Sequence, residues 1–135
     1  HPANNTFRVI GSGGVYHTGN TTTWSTTSDE RIKKDIVDSS VGLSEINQVK
    51  IRNFKYRTAS EITATELQKY DLDQLAIPNT NTQVGVIAQE FETVFPNSVQ
   101  TDERGIKNVN EDELLFAMVK AIQELSAKVT ALEAK

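Results

Sequence analysis

From Leu115 onward the apolar positions fall at Leu115, Met118, Ile122, Leu125, Val129 and Leu132, a rhythm of threes and fours. That spacing is the a/d seam of a coiled coil held over about three heptads. Glu124, Lys128, Glu133 and Lys135 keep the stripe narrow. Asn110, with Glu113 three residues on, supplies an N-cap and its capping-box partner, and the acids Glu111, Asp112 and Glu113 suit the positive end of a helix dipole. The pattern predicts a C-terminal helix over 110–135. An amphipathic helix packed on its own domain is the alternative reading. A lone helix this short is marginal in water, so its stability has to come from a partner helix, and the expected state is a homo-oligomer.

Upstream the periods are shorter. Phe7-Arg8-Val9-Ile10 and Val15-Tyr16-His17-Thr18 flank Gly11-Ser12-Gly13-Gly14, a hairpin pattern. A glycine-rich loop can also cradle phosphate, but no lysine and no helix pattern follows this one. Ile32 and Ile36 suit a short helical turn begun by Ser28 or Asp29. Ser39 or Ser40 can cap a second short helix with Leu43, Ile46 and Val49 on one face. Val49 to Tyr56 alternates as a strand, with a change of phase near Asn53 that suggests a bulge. Residues 58–83 follow neither period and contain the turn Pro78-Asn79-Thr80-Asn81, as an inserted arm would. Val84 to Ala88 reads as a buried strand, and Gln89 to Phe95 as a helix stopped by Pro96. Asn97 to Thr101 and Ile106 to Val109 form a hairpin around Asp102-Glu103-Arg104-Gly105. The fold class is α+β: a small sheet with short helices, an extended inserted arm and a C-terminal coiled-coil helix.

Composition divides the chain near Ser28. Residues 1–27 are rich in Thr, Asn, Gly and Ser and poor in large apolar side chains, so their burial depends on other chains or on sequence further upstream. Residues 28–135 are charged and conventionally globular. The 135 residues suffice for one domain with a real core, although the apolar share, 37%, is below the usual level. A net charge of -4 with dispersed basic residues argues against nucleic acid as partner. No apolar run approaches the length of a membrane helix, and the first residues lack the basic-then-apolar pattern of a signal peptide, so no membrane is expected. There is no cysteine, which excludes disulfides and thiolate metal sites and suits a reducing cytoplasm. His1 and His17 are too few and too far apart for a metal site. No metal and no cofactor is expected.

The candidate chemistry lies at the composition boundary. In Ser28-Asp29-Glu30-Arg31-Ile32-Lys33 a candidate nucleophile stands five residues ahead of a candidate base. A serine hydroxyl attacks only when a neighbour takes its proton, and a neutral lysine amine can do so where no histidine is available. A serine before acidic residues also reads as a helix N-cap or turn residue. On a regular helix, positions five apart differ by about 140° in azimuth, so Ser28 must precede the helix start if it is to reach Lys33. Burial on folding and assembly, helped by the positive charges of Arg31 and Lys34, would favour a neutral amine. Asp29 and Glu30 oppose it and must be engaged elsewhere.

Several blocks in order carry a resemblance: Ser28 to Lys33; Leu43, Ile46, Val49, Phe54 and Tyr56; Val84-Gly85-Val86-Ile87-Ala88-Gln89-Glu90; Val94-Phe95-Pro96; Val109-Asn110; and the closing helix. Over residues 28–135 the chain resembles the endosialidase-type intramolecular chaperone auto-processing domain. That domain ends many bacteriophage tailspikes, tail fibres and neck appendages and also occurs in the myelin regulatory factor. The resemblance implies that Ser28 is the nucleophile and Lys33 its base in a single-turnover, self-cleaving serine endopeptidase. It further implies a homotrimer that assembles the β-rich stalk of its own polypeptide and then cuts itself off. Residues 1–27 would be the end of that stalk, and residues 58–83 the protruding arm. The expected location is the bacterial host cytoplasm during virion assembly, with the domain absent from the mature virion. β-branched residues at two a positions and leucine at two d positions lean toward a two-stranded coil. Leu115 and Met118 break that pattern, and a three-fold stalk would set the symmetry at three.

Attack by Ser28 on the Thr27 carbonyl passes through a five-membered ring, whereas attack on its own carbonyl needs a four-membered one. The expected cut is the Thr27–Ser28 bond if attack is within one chain; attack between subunits leaves the bond open. Gly85 and Gln89 are the candidate oxyanion or supporting residues, because a buried strand end and a helix N-terminus both offer suitable dipoles. Two other readings remain: a trimerisation or receptor-binding fibre tip that never cleaves, and a Ser-Lys hydrolase acting on external substrates through an open cleft.

Overall fold

A computed structural model describes residues 7–11, 14–17, 19–22 and 24–135. The chain divides into two units, His1–Asp38 and Ser39–Lys135.

In the first unit, β1 (Phe7–Val9) pairs antiparallel with β2 (Val15–His17), with Arg8 opposite Tyr16. The expected hairpin therefore forms, although the turn residues Ser12 and Gly13 lie outside the described residues. The Arg8 guanidinium lies 4.9 Å from the centroid of the Tyr16 ring, so its charge meets the negative face of the ring. Further on, Glu30–Ile32 forms one 3-10 turn. Ile36 is not part of it: Lys33 is already extended, and Asp35 adopts a left-handed backbone with φ 54°.

The second unit is built from short pieces around one small core. The helix α1 (Leu43–Ile46) starts at Gly42, not at Ser39 or Ser40. The Ser39 hydroxyl is used differently, accepting from the Val41 backbone N–H at 3.1 Å. At the start of α1 the Glu45 carboxylate accepts from the Gly42 N–H at 2.9 Å, satisfying an otherwise orphaned helix donor.

The strand expected over Val49 to Tyr56 is ladder-paired only at β3 (Arg52–Phe54), opposite β4 (Gln83–Gly85). Val49 instead packs on the core, while Phe54 and Tyr56 share a face, their rings edge to face at 5.5 Å. Val84 is 73% exposed. Of the buried strand expected over Val84 to Ala88 only Val84 and Gly85 lie in the ladder; Val84 faces outward, whereas Val86, beyond the strand, packs against the core.

β3 and β4 close the base of the 58–83 segment, which leaves and returns through their ladder. Between them the chain makes single turns at Ala59–Glu61 and Thr65–Leu67, then α2 (Leu72–Leu75). Each is too short to be stable by propagation, and local side-chain bonds close two of them. Glu61 accepts from the Thr58 backbone N–H at 3.0 Å, and Asp71 accepts from the backbone N–H groups of Asp73 and Gln74.

α3 (Ala88–Phe91) brings Phe91 and Phe95 inward, with ring centroids 5.3 Å apart. These two and Ala117 form the buried cluster, flanked by Ile46, Val49, Val86, Val94, Val99 and Leu114. β5 (Val99–Thr101) and β6 (Lys107–Val109) form the second expected hairpin. Its turn is held by Asp102, whose Oδ1 accepts from Arg104 N at 2.8 Å and Ile106 N at 3.0 Å. Gly105, at φ 83°, takes the left-handed conformation that glycine tolerates best.

The long helix α4 spans Asp112–Glu133 with Glu111 as its N-cap, one residue later than the capping-box pattern suggests. The Asn110 N–H is held by the Ser98 carbonyl at 2.9 Å, so its backbone continues the β5–β6 hairpin, and Glu111 becomes the N-cap. The Asn110 side chain still contributes, accepting from Asp112 N at 3.3 Å. Asp112 and Glu113 remain at the positive end of the helix dipole.

The fold is α+β, as the patterning indicates. In place of a single small sheet, the described residues contain three separate two-stranded antiparallel ladders.

Candidate active site

Two consequences of the local sequence bring Ser28 and Lys33 together. Asp29 has the extended backbone of an N-cap, with φ -69° and ψ 132°, and its Oδ1 accepts from the Arg31 N–H at 2.9 Å. That bond starts a single 3-10 turn, which closes with Ile32 N to Asp29 O at 3.2 Å and Lys33 N to Glu30 O at 3.1 Å. One tight turn between extended flanks changes the azimuth of position 33 relative to position 28 from that of a continuous α-helix. The result is direct contact: Lys33 Nζ donates to Ser28 Oγ at 2.6 Å. Ser28 precedes the turn, as the azimuth argument requires.

Of the charges nearby, Asp29 is engaged elsewhere, as the sequence requires, but Arg31 is not free to help the amine. The Arg31 guanidinium grips Asp29 through Nε at 2.9 Å and a second nitrogen at 2.8 Å. Arg31 is thereby committed to Asp29, and that bidentate bond holds the Asp29 carboxyl below its usual range and raises Arg31. The expected opposition from Asp29 is removed by the same contact, since this carboxylate is engaged elsewhere. Glu30 lies within the turn. Ser28, Lys33 and Thr27 are all exposed in the single chain.

Gly85 and Gln89 belong to the second unit, at the end of β4 and in the first turn of α3. Gly85 packs against the Phe54 ring, where an added Cβ would lie 3.4 Å from the ring edge.

α4 presents two faces. Ala117 and Ala121 are buried, and Glu124 on the same side accepts from the Leu43 backbone N–H at 3.2 Å, so this face packs on α1. Every residue of the predicted seam is exposed in the single chain, from 44% at Met118 to 66% at Ile122. Packing of α4 on its own domain therefore leaves Leu115, Met118, Ile122, Leu125, Val129 and Leu132 without cover on another face.

A serine hydroxyl held on a lysine amine is the minimum equipment of a Ser-Lys hydrolase. The family model described as chaperone of endosialidase matches residues 28–100, more than half of the chain and starting at Ser28 itself. The chain belongs to this family of self-cleaving peptidases, whose domains serve as intramolecular chaperones. Among curated proteins it is similar to myelin gene regulatory factor-like A of Dictyostelium discoideum, with 31% identity over 140 residues. That match covers 94% of this chain but only 13% of the relative.

The Asp29–Arg31 clamp does not follow from sequence charge alone, which marks Asp29 only as an opposing carboxylate. A signal for it was present. Asp102 and Arg104 repeat the Asp-x-Arg spacing and the backbone N–H to Oδ1 bond, with both guanidinium nitrogens on Oδ2, at 3.1 and 2.7 Å.

Proposed function

We propose that this domain trimerises and folds a β-rich stalk lying upstream in its own polypeptide, such as that of a phage tailspike or appendage. It then releases itself by Ser-Lys autoproteolysis at Ser28. The observation that carries the reading is the 2.6 Å contact between Lys33 Nζ and Ser28 Oγ. The same separation serves the reverse transfer, from hydroxyl to amine, once the amine is neutral.

In that step Lys33 takes the Ser28 hydroxyl proton, and Oγ attacks the Thr27 carbonyl carbon through a five-membered ring. The Thr27–Ser28 C–N bond then breaks, the Ser28 nitrogen receives the proton from Lys33, and Thr27 is left as an ester on Oγ. Water hydrolyses the ester to a Thr27 carboxylate and restores the Ser28 hydroxyl. Attack on a neighbouring chain would balance in the same way but leave the broken bond to be found by mass spectrometry.

Both groups of the pair are solvated in the single chain. Assembly supplies what is missing: covering the pair with neighbouring subunits strips water from the amine and favours its neutral form. Cleavage is then conditional on assembly. The six uncovered seam residues support a partner helix, and three strands suit a three-fold stalk. Release leaves the stalk held by its unfolding barrier after its assembler has gone. The setting would be the host cytoplasm during virion assembly, with the domain missing from the finished particle.

The test is an electrophoresis time course of full-length protein beside Ser28→Ala and Lys33→Ala. The proposal expects the native band to split while both variants stay whole. An intact native band under conditions in which the trimer forms would favour a non-cleaving trimerisation tip, and turnover of added peptides would favour a hydrolase for external substrates.

A further inference from the structure

The geometry points to Asp29 as a positioning residue for the Ser28–Lys33 pair, acting chiefly through the cap its Oδ1 makes on the Arg31 N–H. This inference rests on the autoproteolytic reading above and adds a residue to it.

Ser28 and Lys33 are brought together by the course of the four residues between them. Those residues turn because of Asp29. Its Oδ1 takes the Arg31 N–H at 2.9 Å, the donor that a helix beginning here would otherwise leave orphaned. Both its oxygens are also held by the Arg31 guanidinium, at 2.9 and 2.8 Å, which fixes the carboxylate over the turn. A turn of three residues, with no buried member, has little else to hold it. Lys33 emerges from that turn extended, at φ -111° and ψ 154°, and its amine reaches Ser28 Oγ.

The same device recurs where its purpose is structural. Asp102 takes the N–H of Arg104 and is gripped by the Arg104 guanidinium at the β5–β6 hairpin turn. Asp-x-Arg is therefore this chain's way of making a tight turn with a fixed exit direction. At 102–104 the exit leads into β6, and at 29–31 it leads to the lysine. A pair misplaced by an ångström loses about a hundredfold in rate, so a small change in the turn reads out strongly in cleavage.

The experiment measures self-cleavage rate, trimer yield and exchange of the Arg31 amide in full-length protein carrying Asp29→Ala or Asp29→Asn, with Ser28→Ala as the uncut control. Asparagine keeps the Oδ1 acceptor and loses the ion pair; alanine loses both. Asp29→Ala should cleave about a hundredfold more slowly at unchanged trimer yield, with faster Arg31 amide exchange. Asp29→Asn should recover most of the rate and most of the protection. Wild-type speed in Asp29→Ala, equal slowing in the two variants, or a loss that only follows trimer yield would each overturn the inference while leaving autoproteolysis standing. A wild-type protein that never cleaves would instead overturn the reading on which the inference rests, and the inference with it.

Discussion

Glu124 of α4 accepts a hydrogen bond from the Leu43 backbone N–H at 3.2 Å, across 81 residues of sequence. Gly42 makes this possible: a Cβ there would run into the Glu124 carboxylate and stand 2.8 Å from Lys120 Cγ. The long helix is thus seated on α1 by a carboxylate at a helix start and a missing side chain. Gly42→Ala should push the carboxylate away and strand the Leu43 donor, costing about 1–2 kcal/mol. Differential scanning calorimetry checks this, and Glu124→Ala should lower the melting temperature in the same direction.

The uncovered apolar stripe on α4 has a consequence for mass. Replacing Leu125 by Asp places a charge where three chains are expected to meet, which an apolar interface cannot accommodate without a partner for it. Sedimentation equilibrium should move from three chains to one. A wild-type mass of two chains would contradict three-fold symmetry, and an unchanged mass in the variant would show that the stripe is not the interface.

Acid should loosen the β5–β6 hairpin by a defined route. The Arg104 side chain, with help from the Arg104 and Ile106 N–H groups, holds the Asp102 carboxyl below its ordinary value. A carboxyl depressed in the folded state binds fewer protons than in the unfolded chain, so its contribution is present above the ordinary carboxylate pKa and is lost as pH falls through the folded value. Arg104→Ala should therefore flatten the dependence of melting temperature on pH below about pH 5 without abolishing it, because the two backbone donors remain. The Arg52–Glu90 pair acts with the same sign through its lowered carboxyl, so it is the difference between wild type and variant that reports on Asp102.

Local patterns were legible where they carried their own partners. The 99–109 hairpin could be read from Asp102 and Gly105 because the turn is made by residues within it. The exposed apolar stripe on α4 was readable because its period repeats. Strand lengths were not, since Val49–Tyr56 alternates, with one change of phase near Asn53, but finds a partner only at Arg52–Phe54. The start of α4 was hidden for a related reason: the Ser98 carbonyl, distant in sequence, holds the Asn110 N–H. At the candidate site the contact between Ser28 and Lys33 was foreseeable from their spacing and the need for Ser28 to precede a turn. The clamp that shapes that turn was visible only as a repeated Asp-x-Arg, with no period to draw attention to it.

The most direct test compares self-cleavage by the assembled protein with that of a monomer obtained by breaking the seam, both folded and at equal chain concentration. Solvated Ser28 and Lys33 should remain inert in the monomer, which stays full length while the trimer is cut. A folded monomer that severs itself as fast as the trimer would contradict the claim that assembly switches the serine on.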